Sequence, residues 1–233
     1  MSTPNFSIDP TEFSGKRVFV TGGTKGAGEA MVRRFAAGGA RVATTARTAP
    51  KNSSLPGIFV AADLSTTTGA AKTAQAILDA LGTPDIVVHN LGGSATPPGG
   101  FAGLSDELWM DELNLNLLGA VRLDRAFVPT MVQRGQGVVI HVSSIQRLLP
   151  LHETTTAYAA AKAALTTYSK ALSKEVGPKG VRVTSISPGW INTTASQAMV
   201  TRLAKDGGTD EETARQKILD SLGGIPIGRA AWP

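Results

Sequence analysis

The sequence has 233 residues, of which 42% are hydrophobic and 18% charged, with 26 glycines and no cysteine. Such a chain suits one α/β domain spanning 1–233, and it excludes a disulfide framework, a thiolate metal site, a coiled coil and a low-complexity polymer. The formal net charge of +5 is dispersed, with no basic run and no interleaved aromatics, so it argues for a phosphate-bearing small ligand and against nucleic acid.

The segment Met1 to Ser14 lacks the charged start and apolar stretch of a signal peptide, and no apolar run reaches the roughly 20 residues of a membrane span. No membrane association is expected, and the cytoplasm is the expected location. The first predicted strand is Arg17 to Thr21. It runs into Thr21-Gly22-Gly23-Thr24-Lys25-Gly26-Ala27-Gly28 and then a helix over Gly26 to Ala37. Glycines permit a tight turn and close approach of backbone to a pyrophosphate, while the helix N-terminus offers free N–H donors and a positive dipole end. The spacing departs from the common G-x-G-x-x-G, so the strand before and the helix after carry the inference.

The second strand, Arg41 to Arg47, ends on Thr45-Ala46-Arg47. An acidic residue there would hold the ribose 2′-hydroxyl of NAD, whereas a basic one accommodates the 2′-phosphate of NADP. Arg47, with Lys25 in the glycine turn, therefore favours NADP(H) over NAD(H). Further strands are predicted at Ile58 to Ala62, Asp85 to Asn90, Val138 to Ser143 and Val181 to Ser187, with helices at Thr66 to Leu81, Ser105 to Arg134 and Thr155 to Val176. This alternation predicts a doubly wound parallel sheet with helices on both faces, a Rossmann fold, whose ligand sits beyond the carboxyl ends of the strands. After Pro188 the alternation stops. Thr193 to Gly224 reads as one or two short helices joined through Asp206, Gly207 and Gly208, and 193–224 is expected to act as a substrate-side lid.

Tyr158 and Lys162 lie four apart on a predicted helix and share one face. A neighbouring cation favours the phenolate and eases proton exchange by a tyrosine. The three histidines, His89, His141 and His152, lack metal-ligand spacing, two of them fall in apolar strands, and no metal is assigned.

Taken together, the glycine turn and the Tyr158/Lys162 pair resemble the short-chain dehydrogenase/reductase (SDR) family, and further hallmarks follow in order from Lys16 to Pro233. Thr21, Gly22, Thr24, Lys25, Gly26 and Gly28 match the family's phosphate turn. Asp63-Leu64 matches its adenine-contacting pair, and Asn90-Leu91-Gly92 its N-A-G segment, with Leu91 in place of alanine. Pro188-Gly189-Trp190-Ile191-Asn192-Thr193 resembles the segment in which the backbone at Ile191 and the hydroxyl of Thr193 hold the carboxamide.

The resemblance implies a catalytic tetrad of Asn116, Ser144, Tyr158 and Lys162, with Tyr158 as general acid or base, Ser144 orienting the carbonyl, and Asn116 organising a water near Lys162. Asn116 is preferred over Asn114. Ser144, fourteen residues before Tyr158, is one residue farther than is usual in the family; it is preferred over Ser143.

The implied activity is hydride transfer between NADP(H) and a small-molecule carbonyl or secondary alcohol, by a dehydrogenase or reductase acting on CH–OH or C=O. The alternative is a non-catalytic NADP-binding sensor or scaffold of the same fold. Leu148, Leu149, Trp190 and Met199 are expected to line an apolar substrate pocket. The family pattern also carries a further helix and a seventh strand beyond Pro233 that this sequence does not include, and it implies a homotetramer or homodimer at full length.

Overall fold

Alternation along β1 (Arg17–Thr21) sends Val18 and Val20 to one face of a sheet and Phe19 to the other. The computed structural model describes residues 7–49, 54–221 and 223–233. In it β1 is joined by β2 (Arg41–Ala46), β3 (Ile58–Ala61), β4 (Ile86–His89), β5 (Gly137–Val142) and β6 (Val181–Ile186) in the order β3-β2-β1-β4-β5-β6, every pairing parallel. β1 and β4 pair through Val18↔Ile86, Phe19↔Val87 and Val20↔Val88. Connections run in opposite directions on either side of that pair, so a crevice opens at its carboxyl end.

Helices cover both faces. On one, α1 (Gly26–Ala37) sets Val32 against Val18, Val20 and Val88. On the other, α2 (Thr67–Leu81) and α4 (Gly119–Gln133) close over Phe19 with Ile77, Leu123, Phe127 and Met131. Phe19 and Phe127 meet edge to face at 5.8 Å, and burying each such side chain contributes about 1.5–3 kcal/mol. Because the central strands are covered on both sides, β1 and β4 read as nearly unbroken apolar runs.

The predicted helix over Ser105 to Arg134 is divided. α3 (Asp106–Leu113) starts on Ser105, whose hydroxyl accepts from the Leu108 N–H at 3.4 Å; a π-helical stretch (Asn114–Leu118) then leads into α4. Asn116 lies within this stretch. Its side-chain amide donates to the Glu112 carbonyl at 3.1 Å, the acceptor that an α-helix would give to the Asn116 backbone N–H, and an extra residue is accommodated there.

Beyond α5 (Thr156–Val176) and β6, α6 (Thr194–Asp206) and α7 (Glu211–Ser221) form a hairpin. Val200, Ala204, Ala214 and Ile218 make its own small core, packed against Ile145, Leu151 and Trp190. Ile191 bridges to Ala231. Among the described residues no helix is long and apolar enough to cross a membrane.

Candidate active site

A groove of about 740 Å³ lies at the carboxyl end of β1, β2 and β4, within the volume range of small-molecule sites. Gly22, Thr24, Lys25, Gly26 and Gly28 form one wall, Arg47, Asp63 and Leu64 a second, and Asn90 and Gly92 the floor. Gly22 and Gly26 take φ of +69° and +55°, a region open to glycine and costly for other residues. At Gly28 a Cβ would meet the Gly22 carbonyl oxygen at 2.2 Å and Asn90 Nδ2 at 2.6 Å. The N-cap of α1, Lys25, makes no side-chain cap bond, so the helix presents its first N–H groups and dipole to the groove. This cradle fits a dinucleotide pyrophosphate.

Thr21 lies beneath the groove. It is buried, and its hydroxyl accepts from the N–H groups of Asn90 and Leu91, each at 3.0 Å, stitching the end of β1 to that of β4. Across the groove the Thr193 methyl stands 3.2 Å from the position of a Gly26 Cβ. Thr193 Oγ1 accepts from the Ser196 N–H at 3.1 Å as the cap of α6, an occupation beyond the carboxamide contact that the sequence pattern implies. Trp190 and Asn192 carry the hydrogen bonds of the bridge to Ala231, which turns the amide and carbonyl of Ile191 to the other side of the chain. Pro188 accepts from the Ile145 N–H at 3.0 Å and with Gly189 links β6 to this segment. Asp63 is held below the ordinary carboxylate range, first by the Ser65 N–H and also by the charge of Arg47.

The four residues of the expected tetrad come from three elements and meet beside this groove. Tyr158 and Lys162 stand on α5, with Lys162 Nζ 5.7 Å from the Tyr158 ring centroid. The ammonium, 2% exposed, donates to the Val142 carbonyl at 2.9 Å. Ser144 follows β5; its hydroxyl accepts from the Gln146 N–H at 3.2 Å, and it stands near enough to Tyr158 to favour the ionised phenol. Ser143 is engaged elsewhere, donating to the Lys162 carbonyl at 3.0 Å and meeting Thr166 Oγ1 at 2.8 Å. Asn116 Oδ1 accepts from the Gly93 N–H at 3.0 Å.

Gly92 is what lets these groups converge. A Cβ there would meet Asn116 Oδ1 and Lys162 Nζ, each at 2.8 Å.

Burial raises the Tyr158 phenol above its ordinary value, Ser144 opposing this and Glu112 adding to it. That is opposite to the shift expected from a neighbouring cation alone, because desolvation of the phenolate outweighs it. Burial also pulls Lys162 down, to about 8, with Glu112 acting against the fall.

Two buried carboxylates escaped the sequence reading. Glu112 is buried one turn before Asn116, and that i, i+4 spacing on a helix was the available signal. Asp124 on α4 is hydrogen-bonded to His89 Nε2 at 2.8 Å and His141 Nε2 at 3.0 Å, and accepts from the Tyr168 hydroxyl at 3.0 Å. His141 Nδ1 meets Ser169 Oγ at 3.0 Å. His89, Asp124 and His141 are close enough to hold an ion, but their nitrogens and oxygens are already paired with one another. They brace the ends of β4 and β5 against α4 and α5. Of the expected substrate-lining residues, Leu148 and Leu149 are exposed, whereas Trp190 and Met199 pack against the α6–α7 core.

Residues 16–204 match the family profile described as short chain dehydrogenase. The chain belongs to the short-chain dehydrogenase family. It is 31% identical to a 3-oxoacyl-(acyl-carrier-protein) reductase of Chlamydia trachomatis, over 94% of this chain and 85% of that one. The Bos taurus dehydrogenase/reductase SDR family member 7B is 34% identical over 88% of this chain and 70% of its own. Among solved structures, L-sorbose reductase of Gluconobacter frateurii complexed with NADPH and L-sorbose superposes with a TM-score of 0.84 at 32% identity, covering 96% of this chain and 87% of that one. The short-chain dehydrogenase assignment makes the chain an oxidoreductase of a nicotinamide-dependent family, and the sheet order and helical layers are those of its Rossmann fold.

Proposed function

We propose that this short-chain dehydrogenase is an NADP(H)-dependent reductase of carbonyl compounds, reversible to oxidation of the secondary alcohol, with Tyr158 as the proton-transferring group. The observation that carries the reading is Tyr158 standing one helical turn from a buried Lys162, with Ser144 near enough to act on its phenol, at the edge of a groove that holds Lys25 and Arg47. Lys25 and Arg47 would face a 2′-phosphate, the glycine turn the pyrophosphate, and Asn90, Gly92, Ile191 and Thr193 the nicotinamide half. Bound there, the nicotinamide supplies the hydride in reduction and takes it up in oxidation.

The chain's own residues supply the rest. Ser144 donates to the substrate carbonyl oxygen and fixes its direction. Burial keeps the Tyr158 phenol protonated at neutral pH, so it is ready to give that proton to the oxygen as negative charge develops. Lys162 sets a positive charge behind the phenol, and Asn116 keeps its amide oxygen on the Lys162 side of Gly92. The α6–α7 hairpin, following directly on Thr193, would cover the substrate.

The test is loss of NADPH fluorescence in the presence of a carbonyl panel that includes polyhydroxy ketones and β-keto thioesters, the chemistries named for the solved and curated relatives. Turnover with at least one of them is expected. NADPH binding without turnover across the panel would favour a sensor or scaffold instead.

A further inference from the structure

Glu112 is 4% exposed. Its Oε2 accepts from Asn116 Nδ2 at 2.7 Å and its Oε1 from the Ala95 N–H at 3.3 Å. Removing a carboxylate from water is costly, and an aliphatic side chain could fill comparable space on α3 without that cost. The carboxylate is therefore set against what it orders.

We propose that Glu112 is a positioning residue of the acid–base site, fixing the Asn116 amide with its nitrogen inward and its oxygen toward the point above Gly92 where the Lys162 ammonium also arrives. The proposal rests on the function proposed above for Asn116, Tyr158 and Lys162. The two ends of an asparagine amide have nearly the same shape, so only their partners decide which way it faces. Here Nδ2 donates to the Gly93 carbonyl at 2.9 Å, the Glu112 carbonyl at 3.1 Å and the Glu112 carboxylate at 2.7 Å. Of these the carboxylate is the charged acceptor, and such bonds are roughly twice as strong as neutral ones. With Nδ2 committed inward, Oδ1 is left beside Lys162. The reverse orientation would set the amide oxygen against the Glu112 carboxylate and the Gly93 carbonyl, and the amide N–H donors against the Gly93 N–H on the side of the Lys162 ammonium.

The same charge acts on α5. Glu112 opposes the fall that burial imposes on Lys162 and raises Tyr158, so it keeps both groups protonated. Burial raises Glu112 and Asp111 on its own helix adds to this, while the Ala95 N–H and Asn116 Nδ2 donate to it and hold the anion. Tyr158 and Lys162 are the titratable groups that face it from α5.

The experiment uses the whole chain without cofactor, with lysine ¹³Cε NMR and Lys162 assigned by Lys162→Met. Glu112→Gln keeps the shape and removes the charge. The Lys162 midpoint, about 8 in the unaltered chain, is expected to fall by about 0.5 or more, while Glu112→Asp holds it near its original position. In turnover, Glu112→Gln is expected to lower kcat about tenfold or more, with KM and NADPH binding within about twofold, and to move the alkaline limb of kcat/KM to lower pH. An unchanged Lys162 midpoint together with unchanged kcat overturns the proposal. If Glu112→Gln does not fold, the unaltered chain decides: the Lys162 resonance must show a second inflection where the Glu112 carboxyl titrates, and a single inflection overturns it. A carbonyl panel that gives no turnover counts against the function proposed above, and the lysine titration still judges Glu112.

Discussion

The Lys162 ammonium donates to the Val142 carbonyl at 2.9 Å, tying the middle of α5 to the last residue of β5. The charge is thus fixed to the sheet and cannot be withdrawn into solvent. Lys162→Ala is expected to lower kcat by about 100-fold or more and to weaken NADPH binding by about tenfold, the order of one hydrogen bond to a charged group. Steady-state kinetics and cofactor titration read the two losses separately. Because Lys162 stands at about 8, kcat/KM for carbonyl reduction should decline above about pH 8, and Lys162→Arg should lose that decline. Folding stability carries the matching sign. Unfolded Lys162 keeps its proton to its ordinary value of 10.5 and folded Lys162 only to about 8, so stability should rise with pH across that window and should do so less in Lys162→Met.

Tyr158→Phe keeps the ring and removes the phenolic hydroxyl. Turnover is expected to fall by about 100-fold or more while NADPH affinity stays within about twofold. A variant that keeps more than about a tenth of the original kcat would remove Tyr158 from proton transfer.

Arg47 and Lys25 line the groove where a 2′-phosphate would lie. NADPH is expected to bind at least about tenfold more tightly than NADH, and Arg47→Ala should abolish most of the difference by weakening NADPH alone. Fluorescence titration with both cofactors checks this, and equal affinities in the unaltered chain would reverse the preference.

Asp124 answers His89, His141 and Tyr168 from one buried carboxylate. Burial by itself would raise its pKa, yet the two histidines outweigh this and hold it below its ordinary 3.8. Its contribution is present above that value and is lost as pH falls below it. Asp124→Asn is expected to cost about 3–5 kcal/mol, measured by denaturant unfolding near neutral pH, because a side-chain amide cannot accept from all three partners.

The α6–α7 hairpin holds an apolar core of its own. If it covers the substrate, both helices should exchange their amide hydrogens together, faster than β1 and β4, and should slow on NADPH binding. Hydrogen exchange resolved by segment tests this, and full protection without ligand would leave no role for closure.

Periodicity is a local property, and what is local was readable from the sequence alone. Buried strands alternate with amphipathic helices, the glycine turn sits between the first strand and the first helix, and Tyr158 and Lys162 are spaced to share one face of α5. These features determined the strand order's class and the end of the sheet at which a ligand groove would lie. What required the tertiary structure are relationships between residues distant in sequence or hidden by packing. Ser143 and Ser144 are adjacent, but only the meeting of β5 with α5 turns Ser143 to the Lys162 carbonyl and Ser144 to Tyr158. The π-helical stretch at Asn116 and the buried Glu112 depend on the loop at Gly93–Ala95 folding over α3. Asp124 meets His89 and His141 only because the fold brings them to it from two strands. The raised pKa of Tyr158 is decided in the same way, because desolvation is set by the atoms packed around a group, and the sequence specifies those atoms only through the fold.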